Sequence, residues 1–256
     1  MIPKIIHYCW FGGNDKSALA LSCIESWKFY LSDYEIIEWN EGNFNVNSCE
    51  YVSEAYESKK WAHVSDYVRA KVLHTHGGIY LDTDVEIRRN LDQFLVHKAF
   101  SGFELKGFPF TALWGTEKGH HWPLKVVEYY HKAKFTLETN TVSVSKLLVS
   151  DYGINPNLDK LQVFDNDIFI YPSTYFCLDM PNYATHHFEG SWLEKKNGVT
   201  WKDHLHNKYF ENQFFERSSF QYIIEKALQN SGQNSIVSMK VLLKVYLLFI
   251  LRKWKS

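Results

Sequence analysis

Two carboxylates at spacing i, i+2, Asp82 and Asp84, follow the run Gly77-Gly78-Ile79-Tyr80-Leu81. On a regular strand such a pair points the same way. Oxygen ligands suit a hard cation such as Mg²⁺ or Mn²⁺. Such an ion keeps open positions that diphosphate oxygens can fill, and it stabilises a diphosphate leaving group as charge develops there. A bare D-x-D is common in surface turns. Here two glycines and a short apolar run precede it, as expected where a helix stops and a buried strand begins. Upstream, Asp66 and Arg69 sit three apart and share a helix face. Arg69 can pair bidentately with phosphate or hydroxyl oxygens; the two residues also fit an ordinary ion pair on a helix surface.

These residues need elements to position them. Ile2 to Trp10 reads as a first strand, Ser17 to Tyr30 as a helix, Tyr34 to Trp39 as a second strand and Glu50 to Lys59 as a short helix. Trp61 to His76 is the clearest helix, with Val64, Val68, Val72 and the stem of Lys71 at helical spacing and Gly77 at its stop. Alternating strands and helices predict an α/β fold: a Rossmann-like, mainly parallel sheet with helices on both faces. Ligands of such sheets bind outside the carboxyl ends of the strands, where Asp82 and Asp84 fall. Further along, strands are expected at Ala99 to Glu104, Phe110 to Gly115, Leu161 to Phe164 and Ile168 to Tyr171. Tyr183 to Phe188 is another short apolar-polar stretch. Helices are expected at His121 to Ala133, Thr141 to Val149 and within Asp203 to Gln229.

With 256 residues, the chain can bury a sizeable core. Net charge is −1, so nothing overall favours nucleic acid as a partner. Aromatics reach 17%, which suits either a sugar-binding cleft or an aromatic-rich core. The four cysteines form no C-x-x-C pair, so no zinc site is expected. Cys9, Cys23 and Cys177 lie among apolar residues, as small core residues do. The expected domains are a catalytic unit over 1–230 and a basic amphipathic helix over 235–256. That tail carries Lys240, Lys244, Arg252, Lys253 and Lys255 and no acid after Met239. Its apolar centre, Val241 to Leu251, is too short to span a bilayer. The tail suits the surface of an anionic membrane, with Trp254 at the interface, or packing on the domain. The first strand begins at the second residue, so no signal peptide is expected. The chain is expected in the cytoplasm, at the inner face of the cell membrane.

Asp66-Tyr67-Val68-Arg69 followed by Gly77-Gly78-Ile79-Tyr80-Leu81-Asp82-Thr83-Asp84-Val85 resembles the S-D-x-x-R … G-G-I-Y-x-D-x-D-V signature of the DXD-motif sugar transferases of glycosyltransferase family 32, which includes capsular-polysaccharide transferases. Ile2 to Trp10 resembles that family's opening I-P-K-x-I-H-x-x-W, and His186-His187-Phe188-Glu189-Gly190-Ser191-Trp192 its closing H-H-x-x-G-S-W. The resemblance implies a GT-A fold, Mn²⁺ or Mg²⁺, and transfer from a nucleotide-sugar donor to a glycan or lipid-linked glycan with retention of configuration. It implies that Ile6, His7 and Trp10 hold the nucleotide base, which suits a uridine. Asp66 would contact sugar hydroxyls, and Arg69 the sugar or phosphate. Asp82 would meet ribose and metal, and Asp84 the metal. His187 would be the third ligand, with His186 as its rival, and Ser191 and Trp192 would contact the diphosphate. One departure is the stretch Asn140-Thr141-Val142-Ser143-Val144-Ser145, where many relatives carry a G-P-x-x-x-T-like segment.

Two rivals share these residues. The Ile79-to-Val85 run also resembles the nucleophile strand of haloacid-dehalogenase-type phosphatases, with Asp82 as nucleophile. That reading needs a lysine and a later acidic pair, for which Lys146 or Lys160 with Asp165 and Asp167 are available. A non-catalytic sugar-nucleotide-binding protein on the same fold is the other, against which the intact carboxylate pair speaks. Glu86 fits a solvated strand-end carboxylate or a residue facing the acceptor. His120-His121 fits a helix N-terminus.

Overall fold

A computed structural model describes residues 1–189 except Thr111, Thr139 and Met180, so the expected helices after Asp203 and the basic tail lie outside the described residues. The order begins β1 (Ile5–Cys9), α1 (Ala18–Tyr30), β2 (Glu35–Trp39), α2 (Glu50–Glu57), α3 (Trp61–His76), β3 (Gly78–Leu81) and β4 (Val85–Ile87). It continues with β5 (Ala99–Gly102), β6 (Leu113–Thr116), α4 (His121–Lys132), α5 (Asn140–Tyr152), β7 (Gln162–Phe164), β8 (Ile168–Tyr171), the single turn α6 (Ser173–Phe176) and β9 (Ala184–His186). All of these lie in one compact unit.

Seven strands form one sheet in the order β2-β1-β3-β6-β5-β8-β7. β1 pairs in parallel with β2 and β3, and β5 with β8, whereas β6 and β7 run against their neighbours. Five of the seven strands therefore point one way, and the mainly parallel α/β class expected from the chain order is observed.

Strand alternation divides the core between the two faces of this sheet. Ile6, Tyr8, Ile79, Leu81, Phe100 and Leu113 pack with Cys23, Ile24 and Trp27 of α1. Cys9, Tyr80, Ala99, Trp114, Ile168 and Ile170 pack with Val64, Val68 and Val72 of α3, Val126 of α4 and Leu148 of α5. α3 is buried on most of its circumference because it also packs against α4. That burial takes in the expected valine stripe together with Asp66 and Arg69, whereas Lys71 stays exposed. Ser17 starts α1 by accepting the Ala20 N–H at 3.1 Å, which satisfies one orphan donor of the first turn.

The two glycines before β3 have separate reasons. Gly77 ends α3 with φ 70°, its N–H donating to Leu73 O at 2.8 Å. Gly78 has φ 109°, and a Cβ there would meet Ile5 O at 2.6 Å. Only a residue without a side chain lets β3 lie this close to β1.

Candidate active site

Asp82 and Asp84 do not ride on a regular strand, as the i, i+2 spacing predicts. β3 ends at Leu81, and Asp82-Thr83-Asp84 is a turn closed by Val85 N–H donating to Asp82 O at 3.0 Å. The turn leads into β4, which pairs antiparallel with β9 in a separate two-stranded ribbon. β3 is central in the large sheet, so the carboxylates emerge at the middle of its carboxyl edge.

A buried charge cluster fixes Asp82 from below. Arg69 Nη2 lies 3.0 Å from Asp66 Oδ1 and 3.1 Å from Asp82 Oδ1, and its Nε donates to Ser65 O at 3.3 Å. The guanidinium stacks over the Tyr80 ring at 4.6 Å, and Tyr80 donates its hydroxyl proton to Asp82 Oδ1 at 2.9 Å. Asp66 is 6% exposed and Arg69 5%, so this is no surface ion pair. Burial pushes the Asp66 carboxyl up to about 7 against the opposing pull of Arg69. The carboxylates beside Arg69 raise its guanidinium despite burial, so it stays charged. Tyr80 was not singled out by sequence reasoning; its position inside the glycine-led motif, two residues before Asp82, was the available signal.

Asp84 is fixed from the other side. Its Oδ2 accepts the Glu189 N–H at 2.9 Å, and its carbonyl accepts the His187 N–H at 2.9 Å. His186 Nε2 lies 3.3 Å from Asp84 Oδ1. Burial opposes charge on both partners, yet their mutual attraction prevails. It lowers the Asp84 carboxyl and raises the His186 imidazole. His187, the expected third ligand, faces elsewhere: its Nε2 is 2.9 Å from Glu86 Oε2. Strand alternation explains the exchange. On β9 and just beyond it, His186 shares the face of Val85, while His187 shares the face of Glu86. The turn then swings the Asp84 carboxylate toward His186. Glu86 also meets Arg88 at 3.3 Å and is a third exposed, a partly solvated strand carboxylate.

Asp82, Asp84 and His186 each offer a ligand atom, all within 4.8 Å of one another. Two carboxylates and one imidazole suit Mn²⁺ or Mg²⁺. Arg69 and Tyr80 hydrogen-bond the first carboxylate as outer partners of a metal ligand do. The buried His186 Nδ1 finds no partner among the described residues.

The first-strand residues are placed differently from what the resemblance implies. The side chains of Ile6 and His7 are fully buried and offer no surface to a nucleotide base. His7 Nδ1 accepts the Trp39 indole N–H at 3.1 Å, so Nε2 carries the proton and donates to Gly77 O at 2.8 Å. Burial pushes this imidazole down to about 4, keeping it neutral. His7 thus braces the glycine turn to β2. Trp10, just past β1, is half-buried and donates to Asn14 O at 2.7 Å. Ser191 and Trp192 lie outside the described residues.

A second cluster joins His120, His121 and Asp167. His120 caps α4, its Nδ1 accepting the Trp122 N–H at 3.1 Å. Its Nε2 therefore bears the proton, which goes to Asp167 Oδ2 at 3.1 Å. A metal ligand needs that nitrogen bare, so the cluster is a hydrogen-bonded helix cap. His121 Nε2 at 2.5 Å and Lys98 Nζ at 3.1 Å complete the set around Asp167. Asp167 precedes β8, which runs in the direction of β3, so it stands at the opposite edge of the sheet from Asp82. Lys146 pairs with Glu138 at 2.8 Å. The phosphatase constellation is not assembled.

Residues 18–101 match the family model described as a glycosyltransferase sugar-binding region containing a DXD motif. The chain is 26% identical over 236 residues to an uncharacterized glycosyltransferase of Acanthamoeba polyphaga mimivirus, covering 84% of this chain and 90% of that protein. It is 30% identical over 138 residues to inositol phosphoceramide mannosyltransferase 3 of Schizosaccharomyces pombe, covering 49% of this chain and 36% of that one. Among solved structures, the PaToxG glycosyltransferase is similar with a TM-score of 0.46 at 17% identity, over 59% of this chain and 70% of that one. That likeness is too distant to carry residue roles.

Proposed function

We propose that this chain, a DXD-type glycosyltransferase, moves a sugar from a nucleotide-diphosphate donor to a glycan hydroxyl, with Asp82, Asp84 and His186 holding Mn²⁺ or Mg²⁺. One observation carries the reading: three ligand atoms converge within 4.8 Å at the central carboxyl edge of the sheet. When bound, the metal supplies positive charge to a departing diphosphate. Arg69 and Tyr80 hold the Asp82 carboxylate in one orientation, so little reorganisation is needed when the donor arrives. The turn and the β4–β9 ribbon hold Asp84 and His186 at the same point. Asp66 and Arg69, buried beneath, act in this reading by fixing that wall. Of Ile6, His7 and Trp10, Trp10 is the one with side-chain surface available for a base.

Membership of glycosyltransferase family 32, a GT-A type fold, a uridine donor, retention of configuration and a role in cell-surface or capsular polysaccharide are the finer parts of this proposal. They rest on the motif resemblance. A lipid-borne acceptor agrees with the name of the fission-yeast relative, an inositol phosphoceramide mannosyltransferase, while a place at the inner membrane face rests on the basic tail of the sequence. Among the described residues, no helix is long and apolar enough to cross a membrane.

The test is a thermal-shift screen of UDP- and GDP-sugars with and without Mn²⁺. A donor at about 100 times its Kd stabilises the fold by about 2.7 kcal/mol, a shift of several degrees. We expect the shift to require Mn²⁺ and to vanish in Asp84→Asn. An equal shift in that variant, or a shift indifferent to Mn²⁺, overturns the metal assignment.

A further inference from the structure

One acidic side chain at this edge of the sheet has no role in the metal cluster or in the wall beneath it. Glu104 follows β5 by two residues. β5 runs in the direction of β3 and lies two strands away through β6. Glu104 therefore leaves the sheet at the same carboxyl edge as Asp82, about 10 Å along it, or two strand spacings. The offset is away from β1, on the side opposite the strand that leads to Trp10. β1 and β2 flank one side of the central turn, and β5 and β8 the other.

Local structure holds Glu104 in place. Its N–H donates to Phe108 O at 2.9 Å, closing a turn. Phe103 and Leu105, its neighbours, are both buried. Thr141, at the start of α5, donates its hydroxyl proton to Glu104 Oε1 at 3.2 Å. Beside Thr141, the buried Asn140 Nδ2 finds no partner among the described residues. Burial raises the Glu104 carboxyl to about 7; Asp82 and Asp84 add to the rise, while His186 and the Thr141 hydrogen bond oppose it. The carboxylate is thus within the electrostatic reach of the metal cluster without belonging to it.

We propose that Glu104, steadied by Thr141, binds the acceptor: its carboxylate accepts hydrogen bonds from hydroxyls of an uncharged sugar and sets which hydroxyl faces the donor. A carboxylate only accepts, through two oxygens with several lone-pair sites, and sugar hydroxyls supply the donors it lacks. No proton transfer or covalent step is required of Glu104. The assignment rests on the transferase reading above.

The experiment uses the full chain with Mn²⁺, whichever of UDP-glucose, UDP-galactose and GDP-mannose binds, and octyl glycosides of glucose, galactose and mannose as acceptor probes. Nucleotide release without acceptor and sugar transfer with it are both measured. In Glu104→Gln, kcat/KM for the acceptor should fall about 10- to 100-fold, the effect of losing charged hydrogen bonds. Donor KM and acceptor-free release should stay within about twofold of the parent. Thr141→Val should lower acceptor kcat/KM by a smaller factor, with the same unchanged donor side. Acceptor kcat/KM unchanged in Glu104→Gln overturns the assignment alone, as does a parallel loss of donor binding and release. A parent chain that binds none of the three donors overturns this assignment together with the transferase reading.

Discussion

Replacing Arg69 by Met tests the charge cluster beneath Asp82. Met fills much of the same space but leaves Asp66, 6% exposed, without its 3.0 Å partner. Breaking a buried pair in this way costs about 3–5 kcal/mol. The lower end applies here for two reasons. Asp82, whose side chain is 27% exposed, regains water. Asp66 can also take up a proton, since burial already holds its carboxyl near 7. A loss of about 3 kcal/mol in a chain of this size lowers Tm by about 6–12 °C. The pH dependence has a fixed sign. A carboxyl raised in the folded state binds a proton that the unfolded chain, with a pKa near 3.9, does not. Stability from this group therefore falls as pH rises from about 4 through 7, and removal of Arg69 moves the folded value higher still. The deficit of Arg69→Met should be larger at pH 8 than at pH 5 by circular-dichroism melting. The double variant Asp66→Asn/Arg69→Met should recover at least half of the deficit. A Tm within 2 °C of the parent at pH 8, or a deficit that grows on acidification, would refute the reasoning.

The ribbon and the glycine turn before β3 can be tested in the same way. His186→Ala should weaken Mn²⁺ binding by more than about 100-fold in calorimetric titration, and His187→Ala by less than about tenfold. Since Asp84 raises His186, the metal must displace its proton, and affinity should drop as pH falls through that raised pKa; a larger loss in His187→Ala than in His186→Ala would return the ligand to His187. Gly78→Ala should cost at least about 2 kcal/mol, because φ 109° is strained for alanine and its Cβ meets Ile5 O at 2.6 Å. A Gly78→Ala chain with parental Tm would show that β1 and β3 do not need that close approach.

The order of elements was legible in the chain because periodicity and punctuation are local. Helix α3 and strand β8 were expected with the bounds they have, Trp61–His76 and Ile168–Tyr171. The remaining elements differ from expectation mostly by a residue or a few at their ends. Residue chemistry alone marked Asp82 and Asp84 as a metal pair and put Asp66 and Arg69 on one helix face. Burial was not legible. A fragment such as Asp66-Tyr67-Val68-Arg69 reads as one side of a helix, and only the packing of α3 between the sheet, α2 and α4 seals it. His7 and Ile6 carry the motif resemblance, yet Ile6 is buried against α1, and Trp39 and Gly77 hold the buried His7 as a brace for the glycine turn. Adjacent histidines are equivalent as letters. His186 gains Asp84 because β9 pairs with β4 in one register, and a shift of a single residue would exchange the two faces. Glu104 was invisible as a site residue because its nearness to Asp82 passes through β6, a strand running the other way and lying later in the chain. The sequence by itself determined which chemistry this protein carries. Long-range pairing decided which atoms perform it, because register is set by partners as far apart in the chain as Val85 and His186, and helix cover by the packing of α4 on α3.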